Sequence, residues 1–175
     1  MTLTTAAVLG TGAWGTTFAQ VLADAGVDVT MWGRNADTIS FINGGENPTY
    51  LPGIALSDRI SATAEITEAV AGRELVVVAV PVKAVRATLS AAREAFAPGV
   101  ALLSLAKGLE LGSLKRVDEI IAEASGVPEN RIAVLSGPNL SREIAERQPT
   151  ATVVAAFDVE LAKEIAKACH NSYFR

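Results

Sequence analysis

Ala6-Ala7-Val8-Leu9-Gly10-Thr11-Gly12-Ala13-Trp14-Gly15 is the stretch on which the fold turns. A short apolar run, Ala6 to Gly10, ends in glycine, and Trp14, Phe18, Val21, Leu22 and Ala25 then recur at helical spacing until Gly26. Strand, turn and helix therefore follow one another directly. A complete GxGxxG between a strand and a helix is the context in which this pattern holds a dinucleotide. Gly10 permits the tight turn, Gly12 lets the main chain approach a diphosphate with no Cβ in the way, and Gly15 lets helix pack closely on strand. The helix N-terminus adds unpaired N–H groups and a partial positive charge. The competing reading is a glycine turn required only by packing. A Walker A phosphate loop is excluded, because no Gly-Lys-Ser/Thr completes it.

Outward from that turn, Val27 to Trp32 reads as a second strand. Leu75 to Val80, Val100 to Leu105, Ile132 to Leu135 and Thr150 to Ala156 read as further short ones. None alternates cleanly, and uninterrupted Val/Ile/Leu runs indicate strands covered on both faces. Between them Val82, Val85, Leu89 and Ala92 share one helical face; Leu114, Val117, Ile120, Ile121 and Ala124 share another; Leu161, Ile165 and Ala168 share a third. This alternation predicts an α/β fold, doubly wound and Rossmann-like, with a mostly parallel sheet and helices on both faces. Residues 43–56 form a turn-rich loop too long for a mere connection, a candidate for ligand contact over the edge of the sheet. Tyr173 and Phe174 look like the start of another strand, so the chain reads as cut short at Arg175.

Composition narrows the function. The chain has 175 residues, enough for one continuous core, and a single domain over 1–175 is expected. With 15 basic against 19 acidic residues it carries a net charge of −4, which disfavours nucleic acid, since phosphate-tracking surfaces need excess Lys and Arg. Half the residues are hydrophobic and the mean hydropathy is +0.32, as expected of a soluble globular chain. The longest apolar run, Leu75 to Val82 with Pro81 inside it, falls short of the ~18 to 20 residues that cross a bilayer. Met1 to Thr5 contains no basic residue, and glycines interrupt the apolar stretch beyond, so no signal or transit peptide is read and the cytoplasm is expected. A single cysteine, Cys169, excludes an internal disulfide and a cysteine-cluster metal site. With one histidine, His170, the chain lacks the ligands of a typical zinc site. Cys169 and His170 are neighbours on a helix and point about 100° apart, too divergent for a nucleophile and its base.

In open α/β sheets ligands bind beyond the carboxyl ends of the strands. An acidic residue for the 2′-hydroxyl of NAD is expected at the end of the second strand, yet that position reads Trp32-Gly33-Arg34-Asn35. No carboxylate precedes Asp37, and Asp28 lies at the wrong end of the strand. Arg34 is thus placed to pair with a 2′-phosphate or stack on adenine, which favours NADP while leaving NAD open; a solvated surface arginine is the competing reading. Such a bond is worth about 1.5–3 kcal/mol before exposure weakens it, giving preference rather than exclusivity. Val80-Pro81-Val82 either fixes the backbone beside the nicotinamide path or simply starts a helix. Lys107 is a lone cation ending an apolar run, suited to an anionic or carbonyl ligand or else turned to solvent. Ser136-Gly137-Pro138-Asn139-Leu140-Ser141-Arg142-Glu143 is a second strand-to-helix turn, able to bind a polar ligand unless Asn139 and Ser141 merely cap its helix.

Four segments in this order resemble the bacterial NAD(P)-dependent glycerol-3-phosphate dehydrogenase family: Gly10 to Thr16, Met31 to Arg34, Leu105 to Glu110, and Ser136 to Asn139. The resemblance implies that Gly10, Gly12, Ala13, Trp14, Gly15, Arg34, Tyr50, Lys107 and Ser141 border the cofactor. It likewise implies that Lys107, Gly137 and Asn139 border the substrate, Gly137 at its phosphate end. Ala13 stands where some members have Ser, and Asn139 where many have Thr or Ser, which puts side-chain contacts there in doubt. The implied reaction is hydride transfer between NAD(P)H and dihydroxyacetone phosphate, giving sn-glycerol 3-phosphate, a phospholipid precursor. In that family the main catalytic lysine belongs to a C-terminal helical domain absent from this chain. Lys107 is then only supporting, no catalytic residue lies in the chain, and it is expected to bind dinucleotide but turn over negligibly. A dehydrogenase of the wider 6-phosphogluconate-dehydrogenase-like group, acting on another hydroxy substrate, and a non-catalytic NAD(P)-sensing module stay open, as does a homodimer.

Overall fold

The computed structural model describes residues 3–175; the first two residues of the span expected to form one domain lie outside them. The first half of the chain runs β1 (Thr5–Leu9), α1 (Ala13–Asp24), β2 (Asp28–Trp32), α2 (Ala36–Asn43), β3 (Ile60–Thr63), α3 (Ile66–Val70), β4 (Leu75–Val78) and α4 (Val82–Ala92). The second half adds β5 (Ala101–Ser104), α5 (Val117–Ser125), β6 (Ile132–Ser136), α6 (Ser141–Ala145), β7 (Val153–Ala156) and α7 (Val159–Ala168). The strands form one sheet in the order β3-β2-β1-β4-β5-β6-β7, parallel except for β7, which runs antiparallel to β6. The doubly wound, mostly parallel α/β fold expected from the alternating pattern is what forms. β1 pairs with β2 on one side and β4 on the other, so the winding reverses at the strand that leads into Gly10.

Two cores flank the sheet, and single strands feed both. Ala6 and Val8 of β1 join Phe18 and Leu22 of α1, while Ala7 and Leu9 join Val85 and Leu89 of α4 on the opposite face. Leu75 and Val77 divide from Val76 and Val78 of β4 in the same way. Side chains alternate across a pleated strand, so burial on both faces requires an apolar residue at every position.

Several elements depart from the sequence reading. α2, β3 and α3 were not anticipated: β3 is an edge strand with Ser61 exposed and carries little apolar signal. α5 begins at Val117, not at Leu114, which lies outside the helix at φ 58 and is 71% exposed. β2 and β7 do alternate, because each has a face less covered than the central strands. β7 starts at Val153, and the residues before it pair elsewhere: the Thr150 N–H donates to the Tyr173 carbonyl (2.7 Å) and the Arg175 N–H to the Thr150 carbonyl (2.9 Å). The stretch at Tyr173 and Phe174, read as the start of another strand, makes only an isolated parallel bridge between Thr150 and Phe174, with both aromatic side chains buried. Residues 44–56 are tied to α1 by Asn47 Nδ2, which donates to Thr16 Oγ1 (2.8 Å), and at their end Ser57 N–H donates to Gln20 Oε1 (2.8 Å). Among the described residues no helix is long and apolar enough to cross a membrane.

Candidate functional site

The carboxyl ends of β1, β2, β4 and β5 open on one cleft of about 540 Å³, within the range of small-molecule sites. Gly10, Gly12 and Trp14 line it from the turn after β1, Arg34 from the end of β2, Tyr50 from the 44–56 loop and Lys107 from the segment after β5. Six residues scattered between Gly10 and Lys107 are brought together in this way. Val80, Pro81 and Val82 complete the wall, and Pro81 also precedes the first turn of α4, so its two readings are compatible.

The glycine turn is defined by what a side chain would strike. Gly10 has φ +127, and a Cβ there would lie 2.7 Å from the Ala79 carbonyl oxygen. A Cβ on Gly15 would lie 2.2 Å from the Gly10 carbonyl oxygen, whereas Gly12 has no neighbour within 4 Å and faces open space. Gly12 caps α1 without a side-chain hydrogen bond, and the first turn holds no acidic residue. The helical ladder begins with Thr16 N–H donating to the Gly12 carbonyl (2.9 Å). The N–H groups of Ala13, Trp14 and Gly15 precede that ladder at the positive end of a 12-residue helix, a ready anion site. Gly15 is buried and Ala13 begins the helix, so both build the turn rather than line the cleft.

Arg34 is exposed and borders a second hollow of about 350 Å³ beside the cleft, together with Thr11, Asn35, Asp37, Thr38 and Tyr50. Asn35 Oδ1 accepts from the Thr38 N–H (2.8 Å) and caps α2. Asp37 lines the same hollow. Asp28, at the far end of β2, is instead paired with Arg59 (2.7 Å).

Lys107 Nζ donates to the Gly137 carbonyl (3.0 Å), which joins the lysine segment to the turn after β6. Gly137 is closely held: a Cβ would lie 3.1 Å from both the Ala151 carbonyl oxygen and Thr152 Oγ1. Asn139 Nδ2 donates to Thr152 Oγ1 (3.3 Å), and that hydroxyl donates to the Ser136 carbonyl (3.0 Å). Asn139 and Ser141 do not cap the helix that follows, because its cap residue is Leu140 and has no side-chain bond. That helix, α6, is only five residues long, so the second free helix N-terminus expected from the sequence is a single turn with little dipole. The Thr17 hydroxyl donates to the Ser141 carbonyl (3.1 Å), tying α6 to α1. Gly137, Asn139 and Ser141 stand outside the cleft wall proper, with Gly137 reached through Lys107.

A charged cluster steadies the segment that carries Lys107. Glu110 accepts two bonds from Arg86 of α4 (2.9 and 2.8 Å), and Arg86 also reaches Glu123 of α5 (3.0 Å), which Lys115 pairs as well. The Arg86 guanidinium and the Ser113 hydroxyl hold the Glu110 carboxyl down to about 2. Elsewhere, burial pushes the Cys169 thiol up to about 11, so it stays protonated and unreactive, while His170 beside it is exposed.

Sequence reasoning missed three contributors. Gly33 leaves room for Thr11, whose Cγ2 would lie 2.6 Å from a Cβ there. Asn47 donates to the Thr11 carbonyl (3.0 Å) from the loop in which only Tyr50 drew notice. Thr152 supports Gly137 and Asn139. Each acts across a long sequence separation, and only the Gly33 glycine left a visible mark in the sequence.

A family model described as NAD-dependent glycerol-3-phosphate dehydrogenase N-terminus matches residues 5–162. A Thermobifida fusca protein named glycerol-3-phosphate dehydrogenase (NAD(P)+) is 50% identical over 175 residues, which cover 99% of this chain and 52% of that protein. A Streptomyces griseus protein of the same name is 50% identical over 171 residues, covering 97% and 51%. The crystal structure of glycerol-3-phosphate dehydrogenase from Coxiella burnetii superposes with a TM-score of 0.90 at 28% identity, over 99% of this chain and 53% of that one. The chain thus spans about half the length of the relatives it matches. A UDP-D-ManNAc dehydrogenase from Pyrococcus horikoshii, with a TM-score of 0.76 at 16% identity, shares the fold.

Proposed function

The chain belongs to the NAD-dependent glycerol-3-phosphate dehydrogenase N-terminal family, and on that premise we propose that it is the dinucleotide-binding part of an enzyme interconverting dihydroxyacetone phosphate and sn-glycerol 3-phosphate. The observation that carries this reading is the uncapped, acid-free N-terminus of α1, opening into a cleft that also holds Arg34 and Lys107. Those residues fit a nicotinamide dinucleotide: Gly12 leaves space where a diphosphate would lie, and the N–H groups of Ala13, Trp14 and Gly15 supply donors and positive potential. Arg34, with Thr11 and Tyr50 around the adjoining hollow, would hold a 2′-phosphate. Because Arg34 stands where a carboxylate would hold a free 2′-hydroxyl, NADP is preferred and NAD still accepted.

When bound, the nicotinamide gives or takes the hydride. A carbonyl that accepts hydride gathers negative charge on its oxygen, and Lys107 offers a cation at that end of the cleft. Its bond to the Gly137 carbonyl orients the ammonium and leaves two N–H donors for a substrate. Gly137, reached through Lys107, and Asn139 beyond it lie next to that end, and the substrate phosphate would be held there. The residue that delivers the proton is assigned to the half of the relatives that this chain does not span. We therefore read residues 1–175 as one dinucleotide-binding domain that binds cofactor but turns over negligibly alone.

Calorimetric titration of the 175-residue chain with NADPH and NADH tests the reading. Binding of both, tighter for NADPH, is expected, and Arg34→Ala should weaken NADPH roughly 3- to 10-fold more than NADH. No heat with either nucleotide overturns the assignment, and equal losses for both remove the role of Arg34.

A further inference from the structure

Asn47 lies in the loop between α2 and β3 and is fully buried. Its Nδ2 donates to the Thr11 carbonyl (3.0 Å) and to Thr16 Oγ1 (2.8 Å), and the Thr16 hydroxyl in turn donates to the same Thr11 carbonyl (3.2 Å). A main-chain carbonyl can only accept, so chemistry fixes the amide's orientation, with Nδ2 toward Thr11 and Oδ1 away from it. That Oδ1 is buried without a partner. Burying an unpaired acceptor is destabilising, and a leucine of similar shape would avoid the penalty. The loop does not depend on this side chain for its own anchorage: Leu51 is buried beneath it, and the Leu56 N–H donates to the Gly45 carbonyl (2.8 Å).

What the two bonds do is orient one peptide group. The Thr11 C=O and the Gly12 N–H belong to the same planar trans unit and point in opposite directions. Holding the carbonyl toward Asn47 and Thr16, both wholly buried, turns the Gly12 N–H to the opposite side of the peptide, away from those groups, at a residue that lines the cleft. We infer that Asn47 is a positioning residue that presets the Thr11–Gly12 peptide so that the Gly12 N–H meets the diphosphate of a bound dinucleotide. This inference rests on the reading of the cleft as a dinucleotide site. The same residue begins the turn that carries Tyr50, whose N–H donates to the Asn47 carbonyl (3.2 Å), so the loop and the glycine turn are set together.

The test uses two probes that divide the nucleotide: ADP-ribose, which contains the diphosphate, and adenosine 2′-monophosphate, which does not. Each is titrated into the unmodified chain, Asn47→Leu and Asn47→Ser, with circular dichroism checking the fold. Asn47→Leu is expected to bind ADP-ribose roughly 3- to 10-fold more weakly while its affinity for adenosine 2′-monophosphate stays unchanged. Asn47→Ser, too short to span both acceptors, should lose affinity in the same selective way, and it carries the comparison if the leucine variant does not fold. A variant that binds ADP-ribose as the unmodified chain does, or loses both probes equally, overturns the positioning role. If the unmodified chain itself fails to bind ADP-ribose, the dinucleotide reading falls and this inference with it.

Discussion

After β1 the chain turns into a 12-residue helix, and the turn is fixed on every side: Gly10 against Ala79, Gly15 against Gly10, Gly33 beside Thr11 and Asn47 beneath. After β6 it turns into a five-residue helix, and Gly137 and Asn139 are held by Ala151 and Thr152 and by one lysine reaching across from the strand next door. Both turns lie at the carboxyl edge of one sheet, yet only the first has the long uncapped helix an anion needs. An anion site of the first kind is complete within a few dozen residues of sequence. The second offers one cation and a polar rim, and so depends on whatever else approaches it.

The largest test of this contrast is steric. Gly15→Ala should destabilise the chain by about 1–3 kcal/mol or more, because its Cβ would stand 2.2 Å from a main-chain oxygen with nowhere to yield. Gly137→Ala, with contacts no shorter than 3.1 Å, should cost clearly less in the same thermal melts. Equal losses would mean that the two turns are equally rigid. Next comes Gly12→Ala, where nothing lies within 4 Å of the new Cβ. The melting temperature should hold while NADPH affinity falls roughly 10-fold or more, since the methyl occupies the space left for the diphosphate. An unchanged titration would remove the glycine turn's advantage over its counterpart.

Asp37→Asn gives a smaller effect. Removing the carboxylate from the hollow it shares with Arg34 should tighten NADPH roughly twofold and leave NADH alone, as read by parallel titrations. The smallest effect sharpens the second region. The Arg86 guanidinium holds the Glu110 carboxyl from an ordinary 4.5 down to about 2 in the folded chain, so this pairing stabilises the fold above pH 4.5 and its contribution fades as the pH falls toward 2. Both partners meet solvent, which keeps the effect small. Melts between pH 5 and 2.5 should show a shallower decline for Glu110→Gln than for the unmodified chain.

How much of this was legible in the sequence follows from the reach of each interaction. β1, β4 and β5 declare themselves because burial on both faces demands unbroken apolar runs, and the glycine turn declares itself because a Cβ on Gly10 or Gly15 would strike a main-chain oxygen. β3, with only Ile60 and Ala62 facing inward, and α3, five residues long, carry too little periodicity to stand out. Leu114 fits the spacing of α5 perfectly well and still lies outside it, since spacing carries no information about a backbone at φ 58. The direction of β7 is likewise absent from its own residues. In the site, Arg34 and Lys107 could be found by their places after strands, whereas Asn47 works through Thr11, 36 positions away, and only the folded chain brings them together.

The divided loyalty of β1, whose successive side chains enter opposite cores, gives the ground beneath the cleft an unusual permanence. Its amide protons can reach solvent only when both layers come apart, which is to say when the whole molecule unfolds. The glycine turn is thus mounted on a strand gripped from both sides.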